Sequence, residues 1–114
     1  MLRNDVLRKQ TDFDRLYKKG KSVGDKYVVV IYLRNGLDVT RTSFLASKKV
    51  GNSVKRNRAR RLMRESFRGF SSCIPAGYDI VIIARNTITG KKFSDVDDSL
   101  RHAMRRTGIA GKKI

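Results

Sequence analysis

The sequence predicts an α+β domain, helices packed on a sheet, and three observations carry that prediction. Apolar residues recur at helical spacing in three separate stretches, the runs between them are β-branched or nearly all apolar, and one Pro interrupts 114 residues of which 39% are hydrophobic. A chain of this length forms one compact domain over residues 1–114. It buries about two thirds of the surface that its unfolded form exposes.

The first helix is expected over Thr11 to Lys19, with Thr11 as its cap, Asp14 three residues on as capping-box partner, and Phe13, Leu16 and Tyr17 on one face. Lys18 and Lys19 close it before Gly20, the charge order that a helix dipole favours. Residues 27–33, YVVVIYL, read as a strand, Asn35-Gly36 as a turn, and residues 39–47, VTRTSFLAS, as the returning strand of a hairpin. Residues 48–68 read as a helix. Pro75 and Gly77 then mark a loop, and residues 78–84, YDIVIIA, have the composition of a central strand covered on both faces. The last helix is expected to start at Ser94, with Asp97 at its third position and Val96, Leu100, Ala103 and Met104 at helical spacing, and to end near Gly108. Asp95, Asp97 and Asp98 in its first turn answer to the helix dipole rather than to a metal. Gly111 to Ile114 is expected to fray.

Charge narrows the function. Twenty-seven Lys and Arg face 10 Asp and Glu, a net charge of +17. That is far more than solubility needs and destabilises the compact state through self-repulsion, so a polyanionic partner is its natural compensation. No apolar run approaches the roughly 18 residues of a membrane span and no signal-like segment opens the chain, so the expectation is a soluble, cytoplasmic protein with no membrane partner. Cys73 stands alone, which leaves no internal disulfide, and with His102 as the one histidine there is no zinc-type cluster. His102 falls among Arg101, Arg105 and Arg106, and the acids are dispersed, so neither a general base nor a two-metal centre is expected.

The segment KKVGNSVKRNRARRLMRESFR, residues 48–68, holds nine Lys or Arg and one acid, Glu65. On a helical wheel Ala59, Leu62, Met63, Ser66, Phe67 and Phe70 occupy one arc of roughly 140° and form the core face. Asn57, Arg60, Arg61, Arg64 and Arg68 share the opposite arc of about 100°, while Lys55, Arg56 and Arg58 crowd the first turn. Arg56, Arg60, Arg64 and Arg68 make three successive like-charge pairs at i,i+4 spacing, together destabilising by about 1 kcal/mol. Lys55 and Arg56 also sit at the positive end of the dipole, where only Asn52 or Ser53 serves as a cap. A solvated face mixes signs and stabilises itself with Glu to Lys pairs; a one-signed arginine face is built for phosphates, which the guanidinium fork binds bidentately. Lys48, Lys49, Gly51 and Asn52 precede it, where a helix N-terminus offers backbone N–H groups to a further phosphate. No helix-turn-helix partner comes before residue 53, so structured RNA fits better than DNA. Phe13, Tyr17, Tyr27 and Tyr32 have the chemistry to stack on unpaired bases, but for Tyr27 and Tyr32 strand spacing favours the core.

Residues 41–68, RTSFLASKKVGNSVKRNRARRLMRESFR, resemble the signature of the protein subunit of bacterial ribonuclease P, with its arginine-rich helix around Arg-Asn-Arg. The resemblance extends to Phe13 and Tyr17 on the first helix, to Gly-Lys-Ser at 20–22 and to DIVIIAR at 79–85. It implies a sandwich of a four-stranded mixed sheet with three helices and a left-handed strand-helix-strand crossover, against the general right-handed rule. It also implies a division of labour in which a Mg²⁺-dependent RNA subunit removes the 5′ leader of precursor tRNA. The protein, itself without catalytic residue or bound cofactor, docks on that RNA and grips the leader. Carried over, Gly51, Asn52, Lys55, Arg56, Asn57, Arg58, Arg60, Arg61, Arg64 and Arg68 contact the RNA subunit, and Phe13, Tyr17, Lys48 and Lys49 the leader. Ser43 and Ala46 depart from the family, which commonly has Gly and Val there. Two other classes stay open on residues alone: a ribosomal or ribosome-assembly RNA-binding protein, and a self-sufficient nuclease whose acids converge in space.

Overall fold

The computed structural model describes residues 5–110 and Ile114, so most of the expected frayed tail, Gly111 to Lys113, lies outside the described residues. Ile114 packs against the core, and its carbonyl accepts from Arg105 Nη1 at 2.8 Å. Elements run α1 (Gln10–Lys19), β1 (Lys21–Gly24), β2 (Val28–Arg34), β3 (Arg41–Leu45), α2 (Ser53–Phe70), β4 (Tyr78–Ala84) and α3 (Phe93–Thr107). The strands form one sheet in the order β1-β2-β4-β3. Both neighbours of β2 are antiparallel to it, and β3 runs parallel to β4.

The expected hairpin between β2 and β3 does not form. Asn35 and Gly36, the latter at φ +72°, do make the turn, but the chain then passes the end of β4 before β3 begins. Composition explains the exchange. β4 is apolar on both faces and would waste them at an edge, whereas β3, with Arg41, Thr42 and Ser43, tolerates one. Its outer edge is partly covered by the chain's own start: Leu7 N donates to Thr42 O and Thr42 N to Asp5 O, each at 2.9 Å, around the Val6–Thr42 bridge. The short strand β1, KSVG, carries no alternation that marks a strand, and only the family resemblance supplied a fourth one.

Two helix starts also differ from expectation. α1 begins at Gln10, with Lys9 in the cap position and no side-chain cap, and Asp14 accepts from Gln10 Nε2 at 2.8 Å. α3 begins at Phe93, and Asp95 rather than Asp97 reaches back, accepting from Lys92 N at 3.1 Å. Asp97 instead accepts from Ser66 Oγ at 2.6 Å and from Arg101 Nε, tying α3 to α2. The helix ends as expected at Gly108, in the left-handed region at φ +76°.

Sheet alternation divides the core. Val28, Val30, Ile80, Ile82 and Ala84 meet α2 and α3, where Phe67 sits edge-on to Phe70 and Phe44 at 5.1 and 5.8 Å. The six residues expected on the core face of α2, Ala59 to Phe70, are all buried. Tyr27 and Tyr32 pack against this cluster, as strand spacing suggested. On the other face Leu7, Leu16 and Val81 form a smaller cluster under α1.

At one end of that smaller cluster lies the buried Asp79, 1% exposed. Its two oxygens accept from Arg41 Nε and Nη2 at 2.8 and 2.7 Å, from Asn35 Nδ2 at 2.9 Å and from Arg15 at 3.3 Å. Burial pushes the Asp79 carboxyl up, but the hydrogen bonds of Arg41 and Asn35 and the charges of Arg41 and Arg15 outweigh it and hold the group below the usual carboxylate range. The stabilisation is therefore complete above the unfolded pKa of about 3.9 and is lost as pH falls through the lowered folded value. Asp79→Asn is expected to lower stability by about 3 kcal/mol at pH 7 and to lose less than the parent between pH 7 and pH 3, read from urea unfolding. An equal acid loss in both proteins would place the acid sensitivity elsewhere.

Candidate nucleic-acid interface

α2 starts where Asn52, the expected cap, accepts from Lys55 N through Oδ1 at 3.0 Å. Gly51 just before it has φ +143°, and a Cβ there would stand 2.6 Å from Lys55 Cδ. The turn thus needs glycine to let the Lys55 stem fold over it. Lys48 and Lys49 are exposed on the same turn, between β3 and α2.

Burial of the apolar side of α2 leaves its basic side chains on the outer side, yet these do not all act alike. Arg61, Arg64 and Arg68 are exposed. Arg64 lies 5.6 Å over the ring of Phe44, and with Arg68 it borders a cavity of about 320 Å³ floored by Phe44 and Phe67 beside β3. Arg60 donates to Asn57 Oδ1, and Arg56 to Ser53 Oγ at 3.2 Å. Arg58 turns the other way, donating through Nη2 to Lys91 O at 2.9 Å, and with Lys55 it borders a separate recess against Ile88 and Gly90. The predicted RNA-contact set is thus spread over two sides of one helix. Among the described residues none of its arginines is ion-paired with a carboxylate.

Among the described residues four of the acids are engaged elsewhere, and Glu65 on α2 itself pairs with none of its arginines. Asp12 and Asp79 hold Arg15 and Arg41, and Asp97 holds Arg101. Asp25 accepts from Ser99 Oγ at 2.7 Å and meets His102 Nδ1, a pairing with no local sign in the sequence. Burial raises the Asp25 carboxyl, and the hydrogen bonds from His102, Lys26 N and Ser99 more than offset that, leaving it below its usual range. Serine and histidine address the same carboxylate, so the hydroxyl is not activated by the imidazole; the trio clasps α3 to the β1–β2 turn. Among the described residues no three His, Cys, Asp or Glu side chains gather as metal ligands, and no helix is long and apolar enough to cross a membrane.

The second surface is the sheet face under α1. This helix has 10 residues, about 15 Å of length, and cannot cover four strands, so Val29, Ile31, Leu33, Leu45 and Ile83 remain half-buried. Phe13 packs into that cluster, while Tyr17, stacked on it at 6.3 Å and 27°, is 48% exposed. Burial of its inner side raises the Tyr17 phenol, which stays a neutral donor at pH 7. Ser43 stands in register with Val81 on this face, and Ala46 packs against the larger core.

A four-stranded mixed sheet with three helices, one of them carrying arginines without carboxylate partners, defines an RNA-binding α+β protein. The Ribonuclease P family profile matches residues 1–108. The chain belongs to that family. It is 42% identical to the ribonuclease P protein component of Clostridioides difficile over 109 residues, covering 95% of this chain and 96% of that one. It is 39% identical to that of Caldanaerobacter subterraneus over 107 residues, 94% and 92% of the two chains. The structure of the Staphylococcus aureus RNase P protein superposes with a TM-score of 0.87 at 34% identity, over 96% of this chain and all of that one. For the Thermotoga maritima protein the TM-score is 0.80 at 34% identity, over 90% and 97%.

The like-charge row generates a test of its own. Arg60→Glu replaces two repulsive i,i+4 pairs by attractive ones, so the free protein is expected to gain about 1 kcal/mol in urea unfolding while RNA binding weakens. A loss of stability would mean that the bond from Arg60 to Asn57 outweighs the repulsion.

Proposed function

We propose that this chain, as the protein component of ribonuclease P, binds the RNA subunit through the outer face of α2 and holds the 5′ leader of precursor tRNA along α1. The observation that carries the first half is the row Arg56, Arg60, Arg64 and Arg68 without carboxylate partners. Phosphate oxygens in the RNA take up the guanidinium forks, and the repulsion stored along the helix is relieved on assembly. The Asn52 cap and the Gly51 turn place the first N–H groups of α2 beside Lys48 and Lys49, where a further phosphate can bind. The leader reading rests on Tyr17: its open ring gives an unpaired base a stacking surface, and the half-buried sheet beside it excludes water from one side of the strand. A leader exists only in the precursor, so these contacts separate substrate from mature product. Bond cleavage belongs to the RNA subunit, which uses Mg²⁺; the protein lowers the phosphate repulsion that such a complex must overcome.

Three outcomes are expected. Purified protein alone leaves precursor tRNA intact and, mixed with the ribonuclease P RNA of its source, restores leader removal at low Mg²⁺; cleavage by the protein alone, or no stimulation, would sink the reading. Arg60→Ala with Arg64→Ala flattens the dependence of log affinity for that RNA on log salt, by about 0.7 to 0.9 for each phosphate that is no longer neutralised. An unchanged slope would take this face away from phosphate. Tyr17→Ala weakens binding of leader-bearing precursor roughly 10-fold, Tyr17→Phe much less, with mature tRNA unaffected by either. Equal weakening for precursor and mature tRNA would return Tyr17 to a structural role.

A further inference from the structure

The cavity of about 320 Å³ beside β3 is enclosed by Thr42 to Phe44, by Asp5 and Val6 laid along that strand, and by the last turns of α2. Its floor, Phe44 and Phe67, belongs to the core side of α2 and α3, whereas Phe13 packs on the other face of the sheet, so the cavity is separate from the surface at Tyr17. Interior and mouth differ in chemistry. Inside, the half-buried Phe44 and the buried Phe67 set two rings edge to face at 5.8 Å and 70°. At the mouth Arg64 and Arg68 are exposed, one helical turn or about 6 Å apart along the axis. Backbone bonds from Thr42 to Asp5 and from Leu7 to Thr42 fix one wall, and Ser71 Oγ, donating to Arg68 O at 3.3 Å, fixes the other.

The lining selects a ligand with two parts. Asp5 is the one acid among the described lining residues, and a carboxylate in the wall repels a phosphate from the interior. The group that enters is therefore flat and uncharged, and the anionic groups stay at the arginines. An unstacked RNA base with its flanking phosphates has this form. A ring that served packing alone would be closed over by apolar neighbours; instead the Arg64 guanidinium lies 5.6 Å over Phe44. An exposed cation–π contact is weaker than base–aromatic stacking, so an incoming base takes the ring face and releases Arg64 to the adjacent phosphate. Until then the same guanidinium keeps the ring covered.

We infer that this cavity receives one unpaired base of the RNA subunit, stacked on Phe44, with its flanking phosphates on Arg64 and Arg68. The inference rests on the reading of α2 as the RNA-subunit face and deepens it: phosphate contacts along an arginine row carry no sequence information, whereas a seated base marks one nucleotide of the RNA.

The test uses the assembled holoenzyme. Ala76 lines a neighbouring recess that shares Thr42, Phe67 and Ser71 with the cavity. With p-benzoylphenylalanine in place of Ala76, irradiation is expected to crosslink the protein to one unpaired nucleotide of the RNA subunit. That nucleotide is then made abasic with its phosphates kept, and the affinity of the parent and of Phe44→Leu is measured for the intact and the abasic RNA. Loss of the base and loss of the ring are each expected to weaken binding about 10-fold, and both together no further. Phe44→Tyr, which keeps a ring, recovers most of the loss on intact RNA. A purely structural Phe44 would instead weaken binding to both RNAs by the same factor. Such additive losses, full affinity for the abasic RNA, or a crosslink to precursor tRNA in place of the RNA subunit would each overturn the base pocket. Failure of the α2 reading itself shows separately, as an unchanged salt slope in Arg60→Ala with Arg64→Ala.

Discussion

One carboxylate, Asp79, fixes how the halves of this sheet meet. It stands at the start of β4, in register with Arg41 of β3, and reaches Arg15 on α1 and Asn35 in the turn that leaves β2. Three other segments therefore converge on a single buried charge of β4. A pair of this kind gives little net stability over an apolar packing of the same shape, because desolvation of the ions opposes their attraction. What it does is penalise the alternatives: any other register of β3 leaves a buried charge without its partner. With β3 and β4 held parallel, the connection between them has to cross a face of the sheet, and α2 is that crossing.

Putting the arginine helix on the crossover has an electrostatic consequence. The buried or half-buried aspartates Asp79, Asp97 and Asp25 hold elements together: Asp79 at β3, Asp97 between α2 and α3, Asp25 between α3 and the β1–β2 turn. The protein neutralises its inner joints and leaves its outer helix charged. The uneven distribution matters more than the net charge, since a uniform +17 would attract any polyanion equally while a sorted one presents it with a single orientation. Arg58 has a double part here, because its bond to Lys91 O makes it a member of the joint to α3 as well as of the charged surface.

Much of this was legible in the sequence, and the failures have a common cause. The buried face of α2, the strand Tyr78–Ala84 and the stop at Gly108 follow from local periodicity and turn chemistry, which the chain carries in consecutive residues. The hairpin is absent because Asn35-Gly36 marks a turn without saying which strand receives the chain; competition for the central position, won by the two-sided β4, is a property of the whole sheet. Thr11 and Ser94 are good caps by type, but the cap positions fall two residues earlier, at Lys9 and Lys92, with Asp14 bonded to Gln10 and Asp97 to Ser66. Of the candidate site, the charged face of α2 could be read from spacing alone, while Phe13 and Tyr17 had the chemistry to stack on bases but were singled out from the other aromatics only through family resemblance. The pairings of Asp79 and Asp25 join residues far apart in sequence and left no local mark.

The short stretch from Asp5 to Leu7, laid along β3, bears on more than the edge it covers. Its two bonds to Thr42 occupy the donor and acceptor that an open strand would present to a neighbouring molecule. Asp5 and Val6 also wall the cavity bordered by Arg64 and Arg68. The same few residues thus cap an open strand edge and shape the ground next to the arginine helix, so that a change at this point would alter the exposed edge and the surface beside that helix together.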